Sequence, residues 1–424
     1  MRQARRIAVI GAGWAGLACA VEATRQGHHV TLFEMAKHCG GRARSVDFDG
    51  LPLDNGQHIM IGAYSELLRL MRLVEANPDE LLLRTPLTLS NAAGNGLTLR
   101  PGRALPALAF AVARHPTWTS RSKLVLAIEA ARWALARFQC APSLTVAALT
   151  ARLPTEIRRE LIDPLCIAAL NTPSDQASAS VFLRVLRDAL FGAAGASDLL
   201  LPRVGLSEAF PAPALRWLRD QGGAVFTSTR IDAIHPVGET WSVQGQVFDR
   251  VVLATTSSEA ARLAEPHAPH WAAIARRLPF EPIMTVYIQC PGVRLAFPML
   301  ALDADADRPA QFVFDRGQLG GPDGLLAFVI SGARDWVERG TAAALQACMT
   351  QAGQVLPPLP MSPSQPVQVL TEKRATFRCV AQLERPPTHV TAQLAAAGDY
   401  VAGPYPATLE GAVRSGVTAV HELG

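Results

Sequence analysis

Three glycines near the start of the chain have the spacing of a dinucleotide-binding loop. Gly11, Gly13 and Gly16 follow the pattern G-x-G-x-x-G, directly after the apolar run at residues 6–10. In such loops the first glycine allows a tight turn, the second lets the backbone approach a pyrophosphate, and the third lets the next helix pack closely on the strand. The pattern alone also occurs in Gly-rich turns of other α/β units, so the neighbouring residues must show whether it binds a dinucleotide.

An acidic residue follows at the distance that ribose binding requires. A second predicted strand, residues 29–33, ends at Glu34, which lies about 20 residues beyond the glycine loop, as in dinucleotide-binding folds. A carboxylate there can accept hydrogen bonds from both ribose hydroxyls and repels a 2′-phosphate. With a strand before the glycines and a helix after them, at about residues 15–26, the sequence predicts dinucleotide binding.

Two further segments favour FAD over NAD. Gly40, Gly41, Arg42 and Arg44 lie just past Glu34, where a glycine pair can cradle a diphosphate and a guanidinium can bond it. A basic surface loop is the alternative interpretation of this segment. Almost four hundred residues after the first glycines, the C-terminal segment 397–416 contains a Gly-Asp pair and then the predicted start of a helix. The two ends together predict one FAD site.

Composition, charge and cysteine count limit the classes of protein to which the chain can belong. The chain has 424 residues, 49% of them hydrophobic and 18% charged, so it can bury a large core and an apolar cavity. A net charge of +4 is too small to indicate nucleic-acid binding. Seven cysteines without a C-x-x-C pair indicate reduced thiols in a cytoplasmic protein and neither a disulfide framework nor a metal site. We expect no signal peptide and no transmembrane helix.

The segment 103–139 combines apolar residues with an excess of cations. It holds six basic side chains and one acidic side chain among its large apolar residues. Such a segment could lie on an anionic bilayer with its apolar face down. A helix pair that covers the core, with its arginines reaching outward, is the alternative.

The periodicity and turn residues predict alternating helices and strands along the rest of the chain. We expect helices at about 143–162, 175–191, 207–221 and 341–354, with an extended linker at 357–366, and strands at 197–203, 224–226, 231–234, 241–243, 248–254, 280–290 and 325–331. The predicted fold class is α/β with an α+β insert. The expected domains are a first FAD-binding part at 1–75, a mostly helical region facing substrate and membrane at 76–222, a second FAD-binding part at 223–265, a mixed-sheet substrate domain at 266–390 and a C-terminal FAD-binding part at 391–424.

Several motifs resemble a known family. The segments GAGWAGLACA, GGRARS, VVLATT and EGAVRSG resemble the amine oxidase and phytoene desaturase group of flavoproteins. Within that group, the segments DNGQHIMIGAY, PLCIAALNTP, FLRVLRDALFG, SDLLLPR and PATLEGAVRSG are similar to the squalene-associated FAD-dependent proteins, which act as hydroxysqualene dehydroxylases in hopanoid synthesis. The resemblance covers most of the chain and is weakest at 290–390. It implies a Rossmann-like FAD-binding domain, a mixed-sheet substrate domain and a helical cap.

The resemblance also implies cofactor contacts. Pyrophosphate would lie by the glycine loop, ribose by Glu34, the diphosphate by Arg42, adenine by the backbone of Ile231, and a ribityl hydroxyl or phosphate-bound water by Asp399. The complete set of implied FAD-binding residues is Gly11, Gly13, Trp14, Ala15, Gly16, Glu34, Gly41, Arg42, Gly56, Gln57, Ile231, Asp399, Leu409 and Ala412.

The implied reaction is reductive removal of the allylic hydroxyl of hydroxysqualene to give squalene. It requires an apolar tunnel, a proton for the departing hydroxyl and an electron donor. His58 is the candidate acid, because the turn that carries it should lie near the flavin ring; a purely structural histidine is the alternative. Asp163 and Asp198 are weaker candidates. The sequence does not identify the electron donor, since no second G-x-G-x-x-G follows a strand.

Two other classes stay open. A carotenoid-type desaturase would use the same kind of tunnel in the oxidative direction. An amine oxidase is disfavoured, because the four tyrosines form no evident pair flanking a flavin. A non-catalytic FAD-binding carrier of polyisoprenoids is the other class.

Overall fold

The computed structural model describes residues 3–90, 96–355 and 364–423. Its strands are β1 Arg6–Ile10, β2 His29–Phe33, β3 Ser45–Phe48, β4 Leu51–Asp54, β5 Met60–Ile61, β6 Leu82–Thr85, β7 Thr88–Ser90, β8 Gly96–Thr98, β9 Leu199–Pro202, β10 Ala224–Phe226, β11 His235–Val237, β12 Thr240–Val243, β13 Gln246–Phe248, β14 Arg250–Leu253, β15 Phe280–Gln289, β16 Met299–Ala301, β17 Phe312–Asp315, β18 Leu325–Ile330, β19 Gln365–Phe377, β20 His389–Thr391 and β21 Leu394–Ala396.

The helices are α1 Trp14–Arg25, α2 Ser65–Leu73, α3 Pro78–Leu81, α4 Ala104–Arg114, α5 Ser120–Leu135, α6 Val146–Leu149, α7 Thr155–Ile157, α8 Asp163–Leu170, α9 Ala179–Phe191, α10 Leu206–Ala209, α11 Pro211–Asp220, α12 Ser257–Ala264, α13 Pro269–Arg276, α14 Arg334–Arg339, α15 Thr341–Val355 and α16 Leu409–Glu422. Within the described ranges, no helix is both long enough and apolar enough to cross a membrane.

A six-stranded sheet forms the first layer of the fold. Its order is β10-β2-β1-β14-β21-β20, and all neighbours are parallel except the edge pair of β20 and β21. Strand β1 lies in the middle of the sheet. Its four residues from Ile7 to Ile10 are all apolar and buried, as expected for a strand that is covered on both faces of a parallel sheet. The sheet therefore collects strands from the two ends and the middle of the chain, which confirms the predicted α/β class.

Helices α1 and α16 pack closely on this sheet and on each other. A Cβ at Gly416 would lie 2.2 Å from the carbonyl oxygen of Ala15, so only glycine permits this approach. A Cβ at Gly16 would lie 1.8 Å from the carbonyl oxygen of Gly11. The contact at Gly416 fixes α16 beside α1, and the contact at Gly16 fixes the start of α1 against the glycine loop.

A second, antiparallel sheet has the order β16-β17-β18-β15-β19. Strand β18 is buried along its whole length, and the long strand β15 joins it to β19. Helices α4, α5, α8 and α9 belong, with this sheet, to one large apolar core. The helical region and the second sheet together enclose space next to the first sheet.

Three sequence-based predictions of elements need correction. The predicted strand at 231–234 lies in no sheet, because its carbonyl groups accept hydrogen bonds from the side chains of Arg262 and His267. The helix predicted at 143–162 is broken into α6, α7 and a π-helical turn, with Pro154 at the N-terminus of α7. The helix predicted at 207–221 is divided at Phe210, just before Pro211. Of the predicted linker at 357–366, residues 357–363 lie outside the described residues.

Candidate functional site

The two predicted glycine loops lie side by side at the end of β1. Gly11 has a φ of 106°, which allows the chain to turn from the strand into α1. The backbone N–H of Gly40 donates to the carbonyl of Ala12 at 2.8 Å. A Cβ at Gly41 would lie 3.0 Å from the Cα of Gly13. The glycines thus leave a shallow cradle of backbone beside the N-terminus of α1, where N–H groups and the helix dipole favour phosphate.

Glu34 is hydrogen-bonded to the first glycine loop. Its carboxylate accepts hydrogen bonds from the backbone N–H of Ala12 at 2.7 Å and from that of Ala36 at 2.8 Å. These bonds orient the side chain, which is almost fully buried and lines the main cavity. An ionised carboxylate has about four acceptor positions. Glu34 can therefore still accept hydrogen bonds from ribose hydroxyls.

Arg42 contacts the C-terminal part of the site. Its guanidinium forms an ion pair with the buried carboxylate of Asp399 and donates to the carbonyl of Ala375 at 2.8 Å. The arginine was expected by the diphosphate, and here it bridges the second glycine loop, strand β19 and the C-terminal segment. The two residues that the resemblance assigned to the cofactor thus lie in direct contact.

Helix α16 presents its N-terminus to the cavity. The side chain of Thr408 caps it by accepting a hydrogen bond from the N–H of Gly411 at 2.9 Å. Leu409 and Ala412, from the first turn, line the cavity. The partial positive charge of this N-terminus favours an electron-rich group placed against it.

The turn after β4 is held by a polar network. Gln57 donates to the hydroxyl of Tyr287 at 2.8 Å and accepts from Arg316 at 3.1 Å. The hydroxyl of Tyr287 donates to the carbonyl of Asp54 at 2.7 Å. This network fixes the backbone that carries His58.

His58 faces the cavity from that turn. Burial lowers the pKa of its imidazole to about 4, and this effect outweighs the negative charge of Asp54, which acts in the opposite direction. The ring is therefore neutral at pH 7. A neutral imidazole can donate a hydrogen bond from one nitrogen, whereas proton donation from the cation requires a lower pH.

One cavity of about 1240 Å³ joins these features. Ligand pockets are usually about 300–1,000 Å³, so this cavity can hold a dinucleotide and a further ligand. The predicted site residues that line it are Gly11, Gly13, Trp14, Ala15, Glu34, Gly41, Arg42, Gly56, Gln57, His58, Ile231, Asp399, Leu409 and Ala412. Gly16 lies behind the loop, where it permits helix packing.

Away from the glycine loops the cavity wall is mostly apolar. Helices α4, α5, α8 and α9 and the second sheet supply it, with side chains such as Leu108, Leu126, Leu165, Leu186 and Phe312. The two weaker acid candidates are not among the cavity-lining residues. Asp198 forms an ion pair with Arg84 at 3.2 Å instead, and Asp163 occupies the first turn of α8.

Asp188 and Tyr405 are polar residues of the cavity wall that the sequence analysis does not identify as site residues. Asp188, on α9, accepts a hydrogen bond from the hydroxyl of Tyr405 at 2.8 Å. Both residues line the cavity. The available signal for Asp188 is an acid within the motif FLRVLRDALFG, but only the fold places it beside Tyr405.

Several known proteins are similar to this chain in sequence. The sequence profile of the flavin-containing amine oxidoreductases matches residues 14–423. Hydroxysqualene dehydroxylases from Zymomonas mobilis and Rhodopseudomonas palustris are 27% and 28% identical to this chain, each over 97% of it and over 97% and 96% of their own lengths. A zeta-carotene desaturase from Zea mays is 41% identical over 90 residues, which are 21% of this chain and 16% of the relative.

A solved structure shows the same fold at low sequence identity. An oxidoreductase from Methanosarcina mazei superposes with a TM-score of 0.73 at 16% identity, covering 98% of this chain and 100% of its own.

Proposed function

The chain belongs to the flavin-containing amine oxidoreductases and is an FAD-dependent oxidoreductase, and we propose that it reductively removes the allylic hydroxyl of hydroxysqualene to give squalene. One observation carries this proposal. The cradle suited to a dinucleotide and the apolar chamber are parts of a single cavity. A polyisoprenoid in the chamber would then reach the cofactor without leaving apolar surroundings.

Individual residues would hold the cofactor. The backbone of Gly11, Gly13 and Gly41 would receive the diphosphate, Glu34 the ribose hydroxyls, and the N-terminus of α16 the ring's polar edge. Asp399, already paired with Arg42, would bind a ribityl hydroxyl or a phosphate-bound water. Bound FAD in its reduced form supplies hydride. The backbone cradle fits this cofactor because it offers N–H groups and no side chain where a pyrophosphate would lie.

The protein supplies the other requirements of the reaction. The apolar wall excludes water, so a polar leaving group depends on the few polar side chains near it. His58 is our candidate to assist the departing hydroxyl, because it faces the cavity from the turn held by Gln57. Its lowered pKa means that it acts as a neutral hydrogen-bond donor at pH 7 and as a full acid only at lower pH.

The relatives support this substrate class. The hydroxysqualene dehydroxylases match nearly the whole chain, whereas the carotene desaturase matches about a fifth of it. A desaturase would oxidise a hydrocarbon and reduce its flavin, so the direction of electron flow distinguishes desaturation from reductive removal of the hydroxyl. To test the proposal, chemically reduced protein is mixed with hydroxysqualene without oxygen and the product is identified. Squalene is expected; an unchanged substrate would contradict the proposal.

We also propose peripheral contact with a bilayer through α4 and α5. Leu124 is 61% exposed and Leu135 is 85% exposed, whereas Leu126 and Trp133 on the other side of α5 are buried. The helix therefore covers the core on one side and presents apolar side chains on the other. Leu124 also lines the cavity, so the exposed surface lies at an edge of the chamber. A hydrocarbon substrate partitions into lipid at about 0.8 kcal/mol per buried CH₂, and docking would give direct access to it.

A further inference from the structure

A charged cluster interrupts the apolar wall of the cavity where α9 faces the loop before α16. The cavity-lining residues around it on α9 are apolar: Val181, Phe182, Val185, Leu186, Ala189 and Leu190. Among them, Asp188 alone carries a charge. Its side chain is 16% exposed, so the carboxylate is largely removed from solvent. Burying an ionised carboxylate among apolar side chains costs free energy unless hydrogen bonds or ion pairs stabilise it.

Three donors hold this carboxylate. Arg184 donates to one oxygen at 2.6 Å, and the hydroxyl of Tyr405 donates to the same oxygen at 2.8 Å. Arg187 donates to the other oxygen at 3.0 Å. Burial alone would raise the pKa of Asp188, but these hydrogen bonds outweigh it and keep the pKa below its usual value. The carboxylate is therefore ionised and fixed in position.

The phenol of Tyr405 is fixed as well. Two guanidinium groups lie over its ring, that of Arg184 at 5.6 Å and that of Arg414 at 5.0 Å from the ring centroid. Burial and the hydrogen bond to Asp188 raise the pKa of Tyr405, so the hydroxyl keeps its proton and donates it to the carboxylate. The phenol oxygen then has lone pairs to offer, and so has the carboxylate, which binds three donors at about four acceptor positions.

The pair therefore presents acceptors to an apolar chamber, and its one O–H donor is already engaged within the pair. Such a surface satisfies a ligand that brings its own O–H group. A hydrocarbon in the same place leaves the acceptors unpaired, which weakens its binding. The position of Tyr405 supports this role. Tyr405 lies three residues before Thr408, which caps α16, and the N-terminus of α16 faces the cavity.

We propose that Asp188 and Tyr405 form the site that binds the hydroxyl group of the substrate and so distinguishes the alcohol from the hydrocarbon product. This inference rests on the proposed function, since that function supplies the alcohol and the hydrocarbon. The hydroxyl of the bound alcohol would donate a hydrogen bond to the pair, which orients its carbon–oxygen bond in the chamber. Once the hydroxyl has departed as water, the product lacks this hydrogen bond and leaves more readily.

The experiment measures the binding of both ligands to the oxidised, FAD-loaded protein, in which no turnover occurs. Dissociation constants for hydroxysqualene and squalene are obtained from the change in flavin absorbance, in the same detergent. The variants are Tyr405→Phe, which keeps the ring and loses the hydroxyl, and Asp188→Asn. Tyr400→Phe is the matched control, because Tyr400 is buried, lies outside the cavity lining, and its hydroxyl has no partner among the described residues.

We expect wild type and Tyr400→Phe to bind the alcohol more tightly than the hydrocarbon, by about tenfold or more for a hydrogen bond to a charged group. Tyr405→Phe should lose several-fold of that preference, and Asp188→Asn should lose more, while squalene binding and FAD content stay near normal. An unchanged preference in both variants, or no preference in wild type, would overturn the inference. Should wild type prefer the alcohol yet fail to convert it when reduced, the proposed function fails and the binding site stands.

Discussion

The guanidinium of Arg42 is ion-paired with the carboxylate of Asp399, 357 residues further along the chain. The pair joins the second glycine loop to the segment that leads into α16. Because Arg42 also donates to the carbonyl of Ala375 on β19, one side chain connects three separate parts of the site. The two ends of the sequence thus meet through a specific contact, and the cofactor would bind across it.

Replacing Glu34 by arginine should remove FAD. The variant places a cation where ribose hydroxyls need an acceptor, and it also removes the hydrogen bonds that hold the N–H groups of Ala12 and Ala36. Glu34→Gln keeps one acceptor oxygen and serves as the milder control. The flavin absorbance per protein should be near zero for the arginine variant and intermediate for glutamine. Full occupancy in Glu34→Arg would show that Glu34 does not bind the ribose.

Gly13→Val should exclude FAD while leaving the protein folded. A Cβ at Gly13 would lie 3.7 Å from the Cα of Gly41, an ordinary contact, so the side chain would extend into the cradle and not into the core. Gly16→Val is the contrasting variant, because its Cβ would lie 1.8 Å from the carbonyl oxygen of Gly11. Thermal unfolding of the FAD-free proteins should show a near-normal Tm for Gly13→Val and a strongly lowered one for Gly16→Val. Normal FAD binding by Gly13→Val would contradict the assignment of the loop.

Charge reversal on α4 and α5 should weaken binding to anionic vesicles. The best positions are the exposed Arg121 in the first turn of α5, and the exposed Arg103 and Arg137, which flank the start of α4 and the end of α5. Lys123 is avoided, since it donates to the carbonyl of Ala113 at 2.8 Å and thereby holds the end of α4. Each basic residue near a membrane contributes roughly 1 kcal/mol, so the triple change to Glu should abolish co-sedimentation while FAD stays bound.

A triple variant with the same change of charge elsewhere, Arg72, Arg216 and Arg219 to Glu, is the control for this experiment, because these arginines are exposed on α2 and α11. It should sediment with vesicles as wild type does. Equal losses in both variants would indicate that net charge alone matters, and unchanged binding in the first would show that α4 and α5 do not contact lipid.

His58→Ala should slow substrate-dependent reoxidation of the flavin. General acid assistance typically contributes about 10²- to 10⁴-fold. Because the pKa of His58 is lowered to about 4, its protonated fraction increases as the pH falls towards that value, so the wild-type rate should rise from pH 7 to pH 5. The variant should lose this rise and keep its FAD. A rate within a few-fold of wild type, with the same pH profile, would exclude His58 from the reaction.

The sequence predicted the strand and the helix on either side of the first glycine loop, for a physical reason. A phosphate cradle depends on glycines at fixed spacing between a strand and a helix, and both elements formed within a residue or so of their expected bounds. The meeting of the two chain ends was also predicted, from the glycine loop at the start of the chain and the Gly-Asp pair and helix start in segment 397–416. Local patterns carry this information because in such folds the backbone itself binds the pyrophosphate.

The substrate half could not be predicted in the same way. Asp188 and Tyr405 are 217 residues apart, and no spacing rule relates them. The lowered pKa of His58 depends on burial by distant segments. The strand expected at 231–234 shows the same limit, since the side chains of Arg262 and His267, not a neighbouring strand, satisfy its carbonyls.

The most direct test of the account follows the flavin itself during reaction. The protein is reduced chemically under anaerobic conditions and mixed rapidly with hydroxysqualene, with squalene in a parallel sample. We predict that the oxidised flavin spectrum returns with hydroxysqualene only and that one squalene forms for each flavin reoxidised. A flavin that stays reduced with hydroxysqualene, or oxidised protein that is bleached by squalene, would contradict the proposed reaction.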